Sequence, residues 1–147
     1  MLPIVTKISS GFMLASIFAL AAPPAFAGAS HVLVDQWGRD NALATTQSGM
    51  RQRITITQQG RGNLSLNRQD GARNRVVVGQ VGCSNVADTE QAGGRNIVGV
   101  SQIGCRNDAT VTQGGRRNAV GVIQTGSGNT ANAVQHGTGN VVLIIQE

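Results

Sequence analysis

Few residues in this sequence are placed to do chemistry, and those that are recur at one interval. Cys83 and Cys105 stand 22 apart, and so, in turn, do Arg51, Arg73, Arg95 and Arg117. Two cysteines held at a Cα separation of about 4.4–6.8 Å in an oxidising compartment form a disulfide. A row of guanidinium groups attracts acidic polymers or anionic lipid. His31 and His136 are isolated. No nucleophile elbow, phosphate loop, carboxylate pair or zinc spacing accompanies them, so nothing points to an enzyme, a metal or a cofactor. The Asp residues do not follow the spacing of a calcium-binding nonapeptide.

What positions these groups is an internal repeat. Gln stands at Gln36, Gln47, Gln58, Gln69, Gln80, Gln91, Gln102, Gln113, Gln124, Gln135 and Gln146, every interval being 11. Two residues after each, up to Gln135, comes a Gly. Three residues further comes Asn, at Asn41, Asn63, Asn74, Asn85, Asn96, Asn107, Asn118, Asn129 and Asn140, with Gln52 filling the one gap and Ser30 opening a lead-in. An 11-residue period also suits a right-handed helical coiled coil. A Gly in every unit argues against it, since each would weaken a helix by ~1 kcal/mol relative to Ala. Within each unit the pattern alternates instead: Asn74, Val76, Val78 and Gln80 share one strand face. The expected strands are 30–36, 41–47, 52–58, 63–69, 74–80, 85–91, 96–102, 107–113, 118–124, 129–135 and 140–146, joined by four-residue turns in which Gly supplies backbone freedom.

A 22-residue period lies beneath the first. Alternate strands carry large inward pairs (Val32/Val34, Ile54/Ile56, Val76/Val78, Val98/Val100, Val120/Val122, Val142/Ile144). The intervening ones carry smaller or polar pairs (Leu43/Thr45, Ser65/Asn67, Ala87/Thr89, Ala109/Val111, Ala131/Ala133). Large against small fills a thin interior. The fold class is therefore all-β: a two-sheet β-solenoid whose rungs are strand–turn–strand–turn and stack at about 4.8 Å. Inward Asn and Gln, costly if unpaired, are expected to hydrogen-bond along the axis to the same residue in the next rung. The lead-in leaves a half-rung, with one more strand in one sheet than in the other.

This stacking puts Cys83 and Cys105 at one turn position of adjacent rungs. A disulfide between them is expected, free thiols or links between chains being the alternatives. Arg51, Arg73, Arg95 and Arg117 stack in the opposite turns. They act as gatekeepers that slow premature aggregation, or as a binding edge for acidic matrix polymers or cell-surface lipid.

Composition sets the compartment and excludes a conventional core. Residues 1–27 read as a secretory signal peptide: Lys7, an apolar stretch from Gly11 to Ala22, then Ala25-Phe26-Ala27. A membrane anchor is the alternative, but the apolar stretch is short for one. All three Phe leave with this segment, so residues 28–147 keep one aromatic, Trp37. Eleven Arg against seven acids make that part basic. From Asn118 to Gln146 no side chain is ionised at neutral pH, and Val141, Val142, Leu143, Ile144 and Ile145 form an uncharged, Pro-free, β-prone segment. As a last strand it presents an open edge that can template polymerisation.

The unit resembles the curlin repeat of curli fibre subunits, S-x5-Q-x4-N-x5-Q. Ser30-x5-Gln36-x4-Asn41-x5-Gln47 fits it literally, and Asn74-x5-Gln80-x4-Asn85-x5-Gln91 fits with Asn for Ser. The resemblance covers residues 30–146. It implies a subunit exported through an outer-membrane secretion pore that polymerises with itself, or with a related curlin subunit, into extracellular amyloid fibres serving adhesion and biofilm. The basic charge is similar to the nucleating subunit, and the complete last unit to the polymerising one. Against this stands a monomeric secreted solenoid that binds acidic polysaccharide or a surface ligand. The flat Thr array such a module would use is thin, because Thr55/Thr57 and Thr110/Thr112 fall on different sheets.

Overall fold

The computed structural model describes residues 28–147 together with two short strands, β1 (Ile4–Thr6) and β2 (Ile17–Phe18); the expected leader lies otherwise outside the described residues. Then follow β3 (His31–Arg39), β4 (Ala42–Met50), β5 (Arg53–Arg61), β6 (Leu64–Ala72), β7 (Arg75–Cys83), β8 (Val86–Gly94), β9 (Ile97–Cys105), β10 (Asp108–Arg116), β11 (Ala119–Ser127), β12 (Thr130–Thr138) and β13 (Val141–Gln146). Odd strands form one sheet in the order β1-β3-β5-β7-β9-β11-β13, even strands the other in the order β12-β10-β8-β6-β4-β2. From β3 onward all neighbours are parallel, and each residue pairs with its counterpart two units on, as in Val76↔Val98 and Gln80↔Gln102. The chain is thus a two-sheet β-solenoid, each rung one odd and one even strand.

The strands run longer than the alternation suggests. The alternation predicts seven residues of strand and four of turn, whereas β7 spans nine residues and only Ser84 and Asn85 separate it from β8. The reason is that a corner in a solenoid is itself repeated in the next rung. Gly82 turns the chain at φ 118° and still pairs with Gly104. Even the break keeps inter-rung bonds, Ser84 N donating to Arg61 O at 2.9 Å and Arg106 N to Cys83 O at 2.8 Å.

The interior is one side chain thick. Ile54, Ile56, Val76, Val78, Val98, Val100, Val120 and Val122 of the odd sheet pack against Ala87, Ala109, Val111, Ala131 and Ala133 of the even sheet. The large-against-small pairing thus sets the spacing between the sheets. Each fully buried Val or Ile contributes about 1.5–3 kcal/mol. Lower down, the even sheet buries polar groups that satisfy one another: Asn67 Nδ2 donates to Ser65 Oγ at 2.9 Å, and Thr89 Oγ1 donates to Asn67 Oδ1 at 2.7 Å.

Candidate site: amide ladders and open edges

Two glutamine files line the interior. In the odd sheet Gln36 donates to Gln58, Gln58 to Gln80 at 2.7 Å, Gln80 to Gln102 at 2.8 Å, Gln102 to Gln124 at 2.9 Å and Gln124 to Gln146 at 2.9 Å. In the even sheet the file is Gln47 to Gln69 at 3.0 Å, Gln91 at 2.8 Å, Gln113 at 2.9 Å and Gln135 at 3.0 Å. Nε2 always donates toward the C-terminal end. The odd-sheet amides also cross the interior: Gln80 Nε2 reaches Leu64 O at 3.0 Å and Gln102 Nε2 reaches Val86 O at 2.8 Å. Gln58 through Gln124 are essentially inaccessible to solvent. These bonds are what make a buried amide tolerable, since an unpaired one costs roughly 1–3 kcal/mol.

The asparagines do something different. Asn74 Nδ2 donates to Asp70 O at 3.0 Å and to Gly93 O at 3.2 Å, while its Oδ1 accepts from Asn96 N at 3.1 Å. The same pattern of corner bonds recurs, in whole or in part, at Asn41, Asn63, Asn85, Asn96, Asn107, Asn118, Asn129 and Asn140. Asn therefore staples corner to rung through backbone, and only Asn63 Nδ2 also reaches another Asn side chain, Asn41 Oδ1 at 3.1 Å. The expected bond along the axis to the same residue in the next rung is thus made from Asn Oδ1 to a backbone N–H rather than between amide groups, because the side chain is short and sits on the corner. Gln52 reproduces the donor contacts, to Ser48 O at 2.6 Å and Gly71 O at 3.1 Å. Its extra methylene misplaces the acceptor, and Oε1 is left buried without a partner.

Two other buried amide atoms lack partners, and both lie at the ends. Gln135 Nε2 tops the even sheet and Gln47 Oε1 lies in β4, its lowest strand within residues 28–147, so that segment offers a donor at one end and an acceptor at the other. Beside Gln135, β13 pairs with β11 alone and bares Val141, Leu143 and Ile145 outward, each more than half exposed; Val142 and Ile144 face inward, partly buried.

The corners carry the remaining groups. Cys83 and Cys105 are joined in a disulfide between adjacent rungs, their Cα atoms 4.5 Å apart. Arg51, Arg73, Arg95 and Arg117 line the opposite edge, exposed, at φ 56°, 60°, 59° and 57°. Residues 62, 128 and 139 hold the equivalent corner position with Gly. Arg116 joins Arg73, Arg95 and Arg117 along an open groove. The ion pair found among the described residues, Arg68 with Glu90 at 4.0 Å, lies away from this edge on the even sheet's outer face. That face also gathers Asp88 and Asp108. Partial burial first, then the charges of Glu90 and Asp108, push the Asp88 carboxyl above its ordinary range. Among the described residues no cluster of His, Cys, Asp or Glu could hold a metal.

A parallel solenoid held by internal amide files has the build of a structural repeat protein. Residues 104–137 match the family model described as curlin associated repeat. This stretch is similar to a curlin repeat, which supports the curlin family resemblance of the array around it. No curated protein and no solved structure matches the chain.

Proposed function

We propose that the chain is a subunit of a curli-type extracellular amyloid fibre that mediates adhesion and biofilm formation at a bacterial surface. The observation that carries this reading is the upper end: hydrogen-bond files run along the molecule and stop at an apolar edge strand, β13, that pairs on one side only. Natural sheet proteins blunt such edges with charge, Pro or a covering segment; β13 carries neither charge nor Pro. Removal of residues 1–27 and export through an outer-membrane pore precede assembly, and the partners are further copies of this chain or a related curlin subunit. The reading is tested by following thioflavin fluorescence of chain 28–147 and recording fibre diffraction. A stable monomer without a cross-β repeat of about 4.8 Å overturns it.

The arginine edge favours a second use of the same scaffold, binding of acidic matrix polymer or anionic surface lipid. It holds Arg in a left-handed conformation that Gly would adopt at no cost, as Gly62, Gly128 and Gly139 do at equivalent corners. A monomeric binding module is the form this takes if fibres do not grow.

A further inference from the structure

Resting on the fibre reading, we propose that successive copies stack head to tail with a half turn about the fibre axis, so that each copy's odd sheet continues its neighbour's even sheet. Once residues 1–27 are removed, residues 28–147 contribute eleven strands, six odd and five even. Because the number is odd, the upper end finishes on an odd strand, β13, while the lower end also starts on one, β3. If copies stacked with like sheets aligned, β3 would sit on β13 and leave one even-sheet position empty between β12 and the next copy's β4. The partnerless Gln135 Nε2 and Gln47 Oε1 would then face each other across that gap, as would the unpaired backbone edges of β12 and β4.

A half turn closes the gap. It lays the next copy's β3 on β12 and its β4 on β13, each in the register used inside the molecule. Gln135 Nε2 then meets Gln36 Oε1, and Gln146 Nε2 meets Gln47 Oε1, so both glutamine files continue with the same donor direction as in every internal step. The turn is possible because Gln, Gly and Asn occupy the same places in odd and even units. The outer faces agree as well. The exposed Val141, Leu143 and Ile145 come to lie beside Ala42, Ala44 and Thr46, whereas aligned stacking sets them beside His31, Leu33 and Asp35. Inside the joint, Val142 and Ile144 pack across from Val32 and Val34, bulkier than the Val-against-Ala rungs. The lowest rung already accommodates a related pairing, with Val34 and Leu43 both buried. Along such a fibre the arginine corners alternate sides at each copy. Copies advance by about 26 Å, and the true axial period is about 53 Å, at about 4.8 Å per rung.

Cross-linking reads the joint directly, since stacked positions suit a disulfide, as Cys83 and Cys105 show. Chain 28–147 carrying Leu143→Cys with Ala44→Cys, and a second version carrying Leu143→Cys with Leu33→Cys, are assembled, oxidised, dissolved in formic acid and run without reductant beside the parent. The half turn is expected to give a covalent ladder of oligomers from the first variant and monomer from the second. A ladder from the second alone, or from neither while fibres form, overturns the joint and leaves the fibre reading standing. Failure of the parent to form fibres overturns that reading and the joint with it. Should the substitutions impair assembly, electron cryomicroscopy of parent fibres decides. Arginine corners on alternate sides with a period of about 53 Å support the half turn, and corners on one side repeating at about 29 Å overturn it.

Discussion

The column of corner glycines offers the sharpest test of the solenoid, because two glycines of one strand have opposite surroundings. Gly82 sits at φ 118°, where L side chains are strained, and a Cβ built there would lie 1.9 Å from Gly104 O and 2.8 Å from Gly104 C. That oxygen is the acceptor of Asn85 Nδ2 at 3.0 Å, so moving it breaks a corner staple. The obstacle is backbone, and no rotamer change relieves it. Gly82→Ala therefore adds a backbone strain of about 1–3 kcal/mol. The broken bond with its buried donor adds about 1–3 kcal/mol more. The expected loss is about 2–6 kcal/mol, a large share of the stability of a chain this size. Gly79, three residues earlier, meets nothing within 4 Å. Gly79→Ala is expected to be neutral or to stabilise by up to about 0.5 kcal/mol, through the reduced freedom of the unfolded chain. Guanidinium unfolding of chain 28–147, kept dilute and monomeric, measures both. Equal midpoints for the two variants, or a Gly82→Ala loss below about 1 kcal/mol, would refute the stacked-corner reasoning.

Reducing the Cys83–Cys105 bond opens a loop of 22 residues and is expected to cost about 3 kcal/mol on the chain-entropy account, seen as a lower guanidinium midpoint in reductant. Gln102→Leu removes the amide that accepts from Gln80 and donates to Gln124 and Val86; a loss of about 2–4 kcal/mol is expected, against almost none for Gln59→Leu on the exposed face. The raised pKa of Asp88 means the folded state holds that proton more tightly than the unfolded chain. Its contribution is thus present below the ordinary carboxylate pKa and lost as pH rises through the folded value. Mild acid should stabilise the fold, and Asp88→Asn should raise the neutral-pH midpoint and flatten its pH dependence. Leu143→Pro with Ile145→Lys in β13 is expected to lengthen the thioflavin lag many-fold, and an unchanged lag would remove β13 from the templating role.

Much of the fold is legible because it is written twice, as a period of 11 in Gln, Gly and Asn and a period of 22 in side-chain volume. Alternation within Asn74–Gln80 marks the faces, and the same arithmetic places Cys83 over Cys105. The strand limits are less legible. Alternation ends at Gln80, but hydrogen bonding between rungs does not, because Gly82 and Cys83 meet identical corners above and below. The role of Asn is also hidden: a residue type says that an amide is buried, not whether it reaches a side chain or a corner carbonyl. The Ser65, Asn67 and Thr89 network is illegible for a related reason. Those residues stand in the small or polar column, and only the structure shows them within hydrogen-bonding distance. The left-handed corner does carry a signal in the sequence, Gly at positions 62, 128 and 139, but Asp40, Ser84 and the Arg residues at the other corners mask it.

The two periods divide the work between them. The glutamine files cannot tell one sheet from the other, since each unit presents the same Gln, Gly and Asn; by themselves they would permit a slip of one unit anywhere along the chain. Volume forbids it within the molecule. Sliding β7 into an even position would set Val76 and Val78 over Ser65 and Asn67 and crowd them against Ile54 and Ile56. Such overfilling typically costs about 1–3 kcal/mol at each site. At the ends the balance reverses. Only one rung of volume is at stake there, while the partnerless amides of Gln135 and Gln47 and two unpaired strand edges all gain from a half-turn joint. The polar files are therefore more than tolerated: side-chain volume keeps the chain in a register of two units, and the amides leave its ends free to join in a register of one.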